Sequence, residues 1–113
     1  MSAGTTGSRS YFANACAQVA STSYAWTQVI APGTNTAGIY LQCIAMISSG
    51  ADARWRAHTV TPTSEADGIG LGIVSGATGV FGPRIDGMGI IIPAGMGVYV
   101  SSNGASSIFY QIL

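Results

Sequence analysis

Apolar and polar side chains alternate over short runs along most of this chain, and Gly, Pro, Asn and Asp break the runs at intervals of roughly 8–12 residues. In the first clear run, Tyr24, Trp26, Gln28 and Ile30 fall on one side and Ala25, Thr27 and Val29 on the other, and Pro32-Gly33 stops it. The next sets Ile39, Leu41, Cys43, Ala45 and Ile47 against Tyr40, Gln42, Ile44 and Met46. Both sides of that strand are apolar, which places it inside a sheet or at a subunit contact. From Ala53 to Thr61, Arg54, Arg56, His58 and Val60 oppose Trp55, Ala57, Thr59 and Thr61. Pro62 to Gly68 reads as a polar loop, and Ile69 to Val74 and Gly79 to Phe81 as short Gly-spaced strands around Ser75-Gly76-Ala77.

In the last third, Gly87-Met88-Gly89-Ile90-Ile91-Ile92 is echoed by Gly95-Met96-Gly97-Val98-Tyr99-Val100. Pro93-Ala94-Gly95 fits a type I turn with Pro second and Gly fourth, and Ser102-Asn103-Gly104 suits a tight hairpin. The final strand alternates Ile108, Tyr110 and Ile112 with Phe109, Gln111 and Leu113. No helix-period segment exceeds one turn. The pattern predicts an all-β fold, an antiparallel β-sandwich of jelly-roll type with about seven or eight short strands. Residues 11–113 form its one domain behind a flexible arm, Met1 to Ser10, too polar to bury apolar area. The expected core is Trp26, Ile30, Ile39, Leu41, Ile44, Ile47, Trp55, Ile91, Val98, Val100, Ile108, Tyr110 and Ile112.

Charge changes the picture from an ordinary soluble domain. Of 113 residues, 7% are charged, against about 25% in typical domains. Four arginines (Arg9, Arg54, Arg56, Arg84) balance four carboxylates (Asp52, Glu65, Asp67, Asp86), and there is no lysine. Solubility normally rests on a charged surface with net charge away from zero. Neutral Ser/Thr/Gly surface, in contrast, loses little side-chain entropy and little charge desolvation when a partner covers it. The composition therefore points to a subunit of an assembly. The isolated charges become pairing elements, and the candidate interface is Arg9, Tyr11 and Phe12 at the base of the arm, Arg54, Arg56 and His58 on one strand face, and Arg84 with Asp86.

Candidate chemistry is sparse, and the expectation is a protein that is not an enzyme. His58 is the only histidine; a base role is weighed against an exposed or interface histidine, and the second is preferred. One His and two distant cysteines do not make a zinc site, and Glu65 and Asp67 read as a solvated loop rather than calcium ligands, so no metal and no cofactor is expected. The glycines of Gly68-Ile69-Gly70-Leu71-Gly72 lead into strand-like Ile73-Val74, not into the helix a phosphate cradle needs. Balanced charge disfavours nucleic acid as a partner, and no apolar run reaches the ~18 residues of a membrane span. Cys16 and Cys43 permit one disulfide without requiring it. The alternative class is a carbohydrate-binding, lectin-like module stacking sugars on Tyr24, Trp26, Tyr40, Trp55 and Tyr99.

Two stretches carry a resemblance. Ile90-Ile91-Ile92-Pro93-Ala94-Gly95-Met96-Gly97-Val98-Tyr99-Val100-Ser101-Ser102, ending in Ile108-Phe109-Tyr110-Gln111-Ile112-Leu113, resembles the C-terminal hairpin of small all-β structural proteins in tailed-phage virions. Val29-Ile30-Ala31-Pro32-Gly33-Thr34-Asn35-Thr36-Ala37-Gly38-Ile39 is similar to the strand, Pro-Gly, Asn and Gly-Ile run of such proteins. The resemblance implies a non-enzymatic role in a virion assembled in the host cytoplasm: decorating or cementing a capsid, or completing a head or tail interface. The implied partners are copies of itself, with a trimer as one candidate state, and other virion proteins such as the major capsid protein. It carries no catalytic residue over to this chain, and charge and run length leave no nucleic acid and no membrane among the expected partners.

Overall fold

The computed structural model describes residues 12–20, 23–46, 52–75, 84–85 and 87–113. The runs that alternate in sequence become strands: β1 (Ala15–Ala20), β2 (Trp26–Ile30), β3 (Ile39–Met46), β4 (Asp52–His58), β5 (Ile69–Ser75), β6 (Arg84–Ile85), β7 (Ile90–Ile92), β8 (Gly97–Ser102) and β9 (Ala105–Ile112). Pro32–Thr34 forms a single 3-10 turn between β2 and β3, where the fixed φ of proline suits a first turn. No helix among the described residues is long and apolar enough to cross a membrane.

All pairs are antiparallel and fall into two sheets. Sheet A has the order β1-β9-β3-β6, with β7 also on β3; sheet B has the order β2-β8-β4-β5. Strands β6 and β7 follow one another along the same strand, β6 against Ile44 and Ala45 and β7 against Ile39 to Leu41. Between them Met88 N donates to Gln42 O at 3.0 Å. The inner faces share one apolar cluster: Ile39, Leu41, Ile44, Ile92 and Ile108 from sheet A meet Ile30, Ala53, Trp55, Ala57, Leu71, Val74, Val98 and Val100 from sheet B. This is a β-sandwich, and burying each large aliphatic contributes about 1.5–3 kcal/mol.

Strict alternation misplaces residues wherever a strand carries a bulge, because one extra residue exchanges the two faces beyond it. In β2 the register shifts between Gln28 and Ile30. Ile30 therefore points into the core, and Trp26, paired with Ser101, stands on the outer face and is not a core residue. In β3 the shift between Leu41 and Cys43 turns Ile44 inward beside Leu41 and sends Cys43 to the outer face opposite Phe109. Strand β4 keeps its phase, with Ala53, Trp55 and Ala57 buried and Arg54, Arg56 and His58 outside.

Other core expectations change for different reasons. Three successive isoleucines cannot declare their phase. Pairing of Ile92 with Ile39 decides it, burying Ile92 and leaving Ile91 50% exposed. Ile112 ends its strand where cover runs out and is 42% exposed. Tyr110 is half-buried against the core, and Ile47 lies outside the described residues, as do residues 76–81.

The expected C-terminal hairpins are absent. Consecutive strands β7, β8 and β9 alternate between the sheets, so Ser102-Asn103-Gly104 is a crossover rather than a hairpin turn. The Pro93 turn is closed by Met96 N donating to Pro93 O at 3.4 Å. Proline thus stands first and Gly95 third, with φ +86°, the positive value found at that position in type II turns.

Candidate functional site

Apart from Arg84 in β6, the charged residues among those described lie on strand β4 and the loop after it. The loop, residues 59–68, folds back over the outer face of sheet B, with Pro62 buried. Its return to β5 is set by Gly68 at φ +69°, where a Cβ would meet Ala57 O at 2.1 Å; only glycine fits that approach. Arg56 donates through Nε to Asp67 O and through Nη2 to Gly68 O at 3.4 Å. Arg54 Nε lies 2.6 Å from Glu65 Oε1, and its Nη2 lies 3.6 Å from Asp52 Oδ2. Such part-exposed pairs are worth about 0–1 kcal/mol each, so the buried proline and the Arg56 contacts to backbone carbonyls do most to hold the loop.

The Asp67 carboxylate anchors its loop while staying open to solvent. Its Oδ2 accepts from Thr63 N at 2.8 Å and from Thr63 Oγ1 at 3.0 Å. The backbone and then the side chain of Thr63 favour the ionised form and hold this carboxyl below its usual 3.8, with desolvation working slightly against them.

Between this loop and β2 lies a hollow open to solvent. Cross-strand pairing sets Trp26, Ser101, Arg54 and Ile73 in one row across the outer face of sheet B. Two adjoining hollows, about 490 Å³ and about 650 Å³, share Trp26, Arg54 and Glu65 as walls. Tyr24 closes one end, its ring centroid 5.7 Å from the Arg54 guanidinium carbon. Ser23 and Tyr24 have φ of +55° and +57°, unfavourable for side chains with a Cβ. Three hydrogen bonds hold them there: Ser23 N to Asn103 Oδ1 at 3.2 Å, Tyr24 N to Ser102 O at 3.2 Å, and Ser101 Oγ to Tyr24 O at 2.7 Å.

Among the described residues, the expected interface residues are divided between the two sheets. Arg54, Arg56 and His58 share the outer face of sheet B, as alternation predicts, and both arginines are engaged within the chain. Phe12, 67% exposed, precedes β1 in sheet A, and Arg84 belongs to β6 in the same sheet, paired with Ala45. Arg9, Tyr11 and Asp86 lie outside the described residues, as does the arm. The aromatic platform divides similarly: Trp55 and Tyr99 are about 1% exposed, Tyr40 stands on sheet A, and Tyr24 with Trp26 alone frame the hollow. Sequence reading missed Glu65 as the partner of Arg54. The available signal was a ten-residue polar loop between two strands, long enough to fold back on its own strand.

The outer face of sheet A is different in kind. Register places Ile91, Tyr40 and Gln111 in one row, Cys43, Phe109 and Cys16 in the next, and Ala45, Ser107 and Gln18 beyond. These residues are uncharged; the third row continues from Ala45 to Arg84 on the edge strand. Cys16 and Cys43 form no disulfide. Strand β9 separates them, and two inter-strand spacings, about 9.5 Å, exceed the reach of a disulfide. Among the described residues no three His, Cys, Asp or Glu side chains gather where a metal could be held. In comparisons with known proteins, no family model, curated protein or solved structure matches this chain.

Proposed function

We propose that this chain is a non-enzymatic structural subunit of a large assembly, and that the outer face of sheet A is buried against partners. One observation carries the reading: apart from Arg84, at the edge of sheet A beside Ala45, the described charged residues lie on β4 and its loop, and the outer face of sheet A presents Ile91, Tyr40, Phe109 and neutral polar side chains. A face with so few charges gives up little hydration on association, and aromatic residues are enriched at interface cores. The first partners on this reading are further copies of the chain, with the exposed Phe12 just ahead of β1 in the same sheet.

The finer form of the proposal is a jelly roll in a tailed-phage virion. Its support is twofold. If β6 and β7 count as one interrupted strand, each sheet interleaves strands from the two halves of the chain, as paired Greek keys do. The two stretches that resemble small virion proteins include Asn35 and the Pro93 turn, which the structure joins by hydrogen bonds. Decoration or cementing of a capsid, or completion of a head or tail interface, is the role proposed.

The test is sedimentation of the native protein from its source on a density gradient, beside the Ile91→Arg, Phe109→Arg variant. Co-migration with a megadalton particle at fixed stoichiometry, lost in the variant, supports the proposal. A slow species of one chain's mass overturns it.

A further inference from the structure

We propose that the hollow framed by Tyr24, Trp26 and Arg54 on sheet B is a binding site for a neutral saccharide, a function beyond the assembly role and on the opposite face of the sandwich.

Its dimensions fall within the 300–1,000 Å³ of small-molecule sites, at about 490 Å³ and about 650 Å³ for its two adjoining parts. Its chemistry narrows the occupant by charge. Arg54 is already faced by Glu65 at 2.6 Å and Asp52 at 3.6 Å. An anion entering beside the guanidinium would meet both carboxylates, and a cation would meet the guanidinium. A neutral polyol meets no unbalanced charge. Its hydroxyls can donate to Glu65 and accept from Arg54, and hydrogen bonds to ionised groups are the strong ones. The apolar C–H face of a pyranose needs an aromatic surface, and the half-buried indole of Trp26 and the exposed ring of Tyr24 supply two.

The backbone adds a second, independent observation. Tyr24 is held at φ +57° by hydrogen bonds on both sides of its peptide, although another conformation would suit a tyrosine better. Strain of this kind persists where the surroundings over-determine it, and it clusters at ligand clamps. Here it fixes the ring at the mouth of the hollow over Arg54. A ring so fixed loses less entropy when a ligand stacks on it than a mobile one would.

The experiment titrates the full chain with maltose, cellobiose, lactose and diacetylchitobiose, with a sulfated heparin disaccharide as the anionic comparator. Trp26 emission and amide shifts around Arg54 are the readouts. The expected result is saturable binding of at least one neutral disaccharide, weakened at least about tenfold by Trp26→Ala and by Tyr24→Gly, and unchanged by Tyr40→Ala on the other sheet. Tyr24→Gly removes the ring where glycine tolerates the backbone, so it stays informative if Trp26→Ala fails to fold. No response to any neutral disaccharide, binding of the sulfated sugar alone, or binding indifferent to Tyr24→Gly each overturns the proposal. The assembly reading survives that failure, because it rests on sheet A.

Discussion

Asn35 donates through Nδ2 to Met96 O at 2.9 Å and so ties the loop after β2 to the turn before β8, 61 residues further along the chain. The same nitrogen reaches Pro93 O at 2.8 Å, and Oδ1 accepts from Gly38 N at 2.7 Å. Its own backbone carbonyl accepts from Gly95 N at 2.8 Å. The residue is 2% exposed, so each partner would be hard for water to recover. A buried group left without its partner costs about 1–3 kcal/mol. Asn35→Ala orphans three such groups and should destabilise by at least about 3 kcal/mol, read as the shift of the urea midpoint. Asn35→Asp keeps the acceptor for Gly38 but sets a carboxylate against two carbonyls. Its deficit should shrink on acidification, as the neutral acid regains a donor. Wild-type midpoints for both variants would show that the two loops are held by something else.

Cys16 is exposed and Cys43 buried, with β9 between them. Native protein should react quickly with one equivalent of a thiol reagent and take up the second only on unfolding. The Cys16→Ser variant should lose the fast phase and leave the slow one. Two fast thiols, or a disulfide mapped between the two positions, would contradict the sheet order β1-β9-β3.

Acid should loosen the loop over sheet B before it unfolds the sandwich. The Asp67 carboxyl is held below 3.8 by the Thr63 backbone and side chain. A carboxyl depressed in the folded state adds stability that is complete above its unfolded value and is lost as pH falls through the folded one. The Thr63 amide resonance should therefore titrate below the ordinary carboxylate range. Asp67→Asn should abolish that titration and destabilise the loop near neutral pH, and the wild type should lose its advantage over the variant in strong acid. A Thr63 amide titrating at or above 3.8 would be inconsistent with this anchoring.

The all-β class and β4 were legible in sequence because alternation is a direct consequence of the pleat, and β4 carries it unbroken from Asp52 to His58. The central place of β3 was legible too, since strands apolar on both faces must be covered twice. What sequence could not supply was phase. A bulge at Val29 and another at Gln42 leave no mark in composition, yet the first takes Trp26 out of the core and the second turns Cys43 to the outer face of sheet A. Connectivity was hidden for a related reason: Pro93-Ala94-Gly95 and Ser102-Asn103-Gly104 specify a reversal of direction, and a reversal can join two sheets as readily as two neighbours. The Arg54–Glu65 pair depends on the loop folding back, which follows from Pro62 burial and the glycine at position 68 together and from neither alone.

The two tryptophans offer the sharpest check on the bulge in β2. Alternation alone buries both, but the structure puts Trp55 in the core at 1% exposure and Trp26 in the outer row beside Ser101. Trp55→Ala should cost about 3–5 kcal/mol, the range for removing a buried aromatic. Trp26→Ala should cost about 1 kcal/mol, the centre of the distribution for point variants. Acrylamide should quench Trp26 efficiently in Trp55→Phe and barely reach Trp55 in Trp26→Phe. Trp55→Phe keeps an aromatic ring in the core and should cost less than Trp55→Ala. Equal quenching of the two single-tryptophan proteins would mean that Ile30 and Trp26 share a face, that β2 runs without a bulge, and that the hollow on sheet B has lost its aromatic wall.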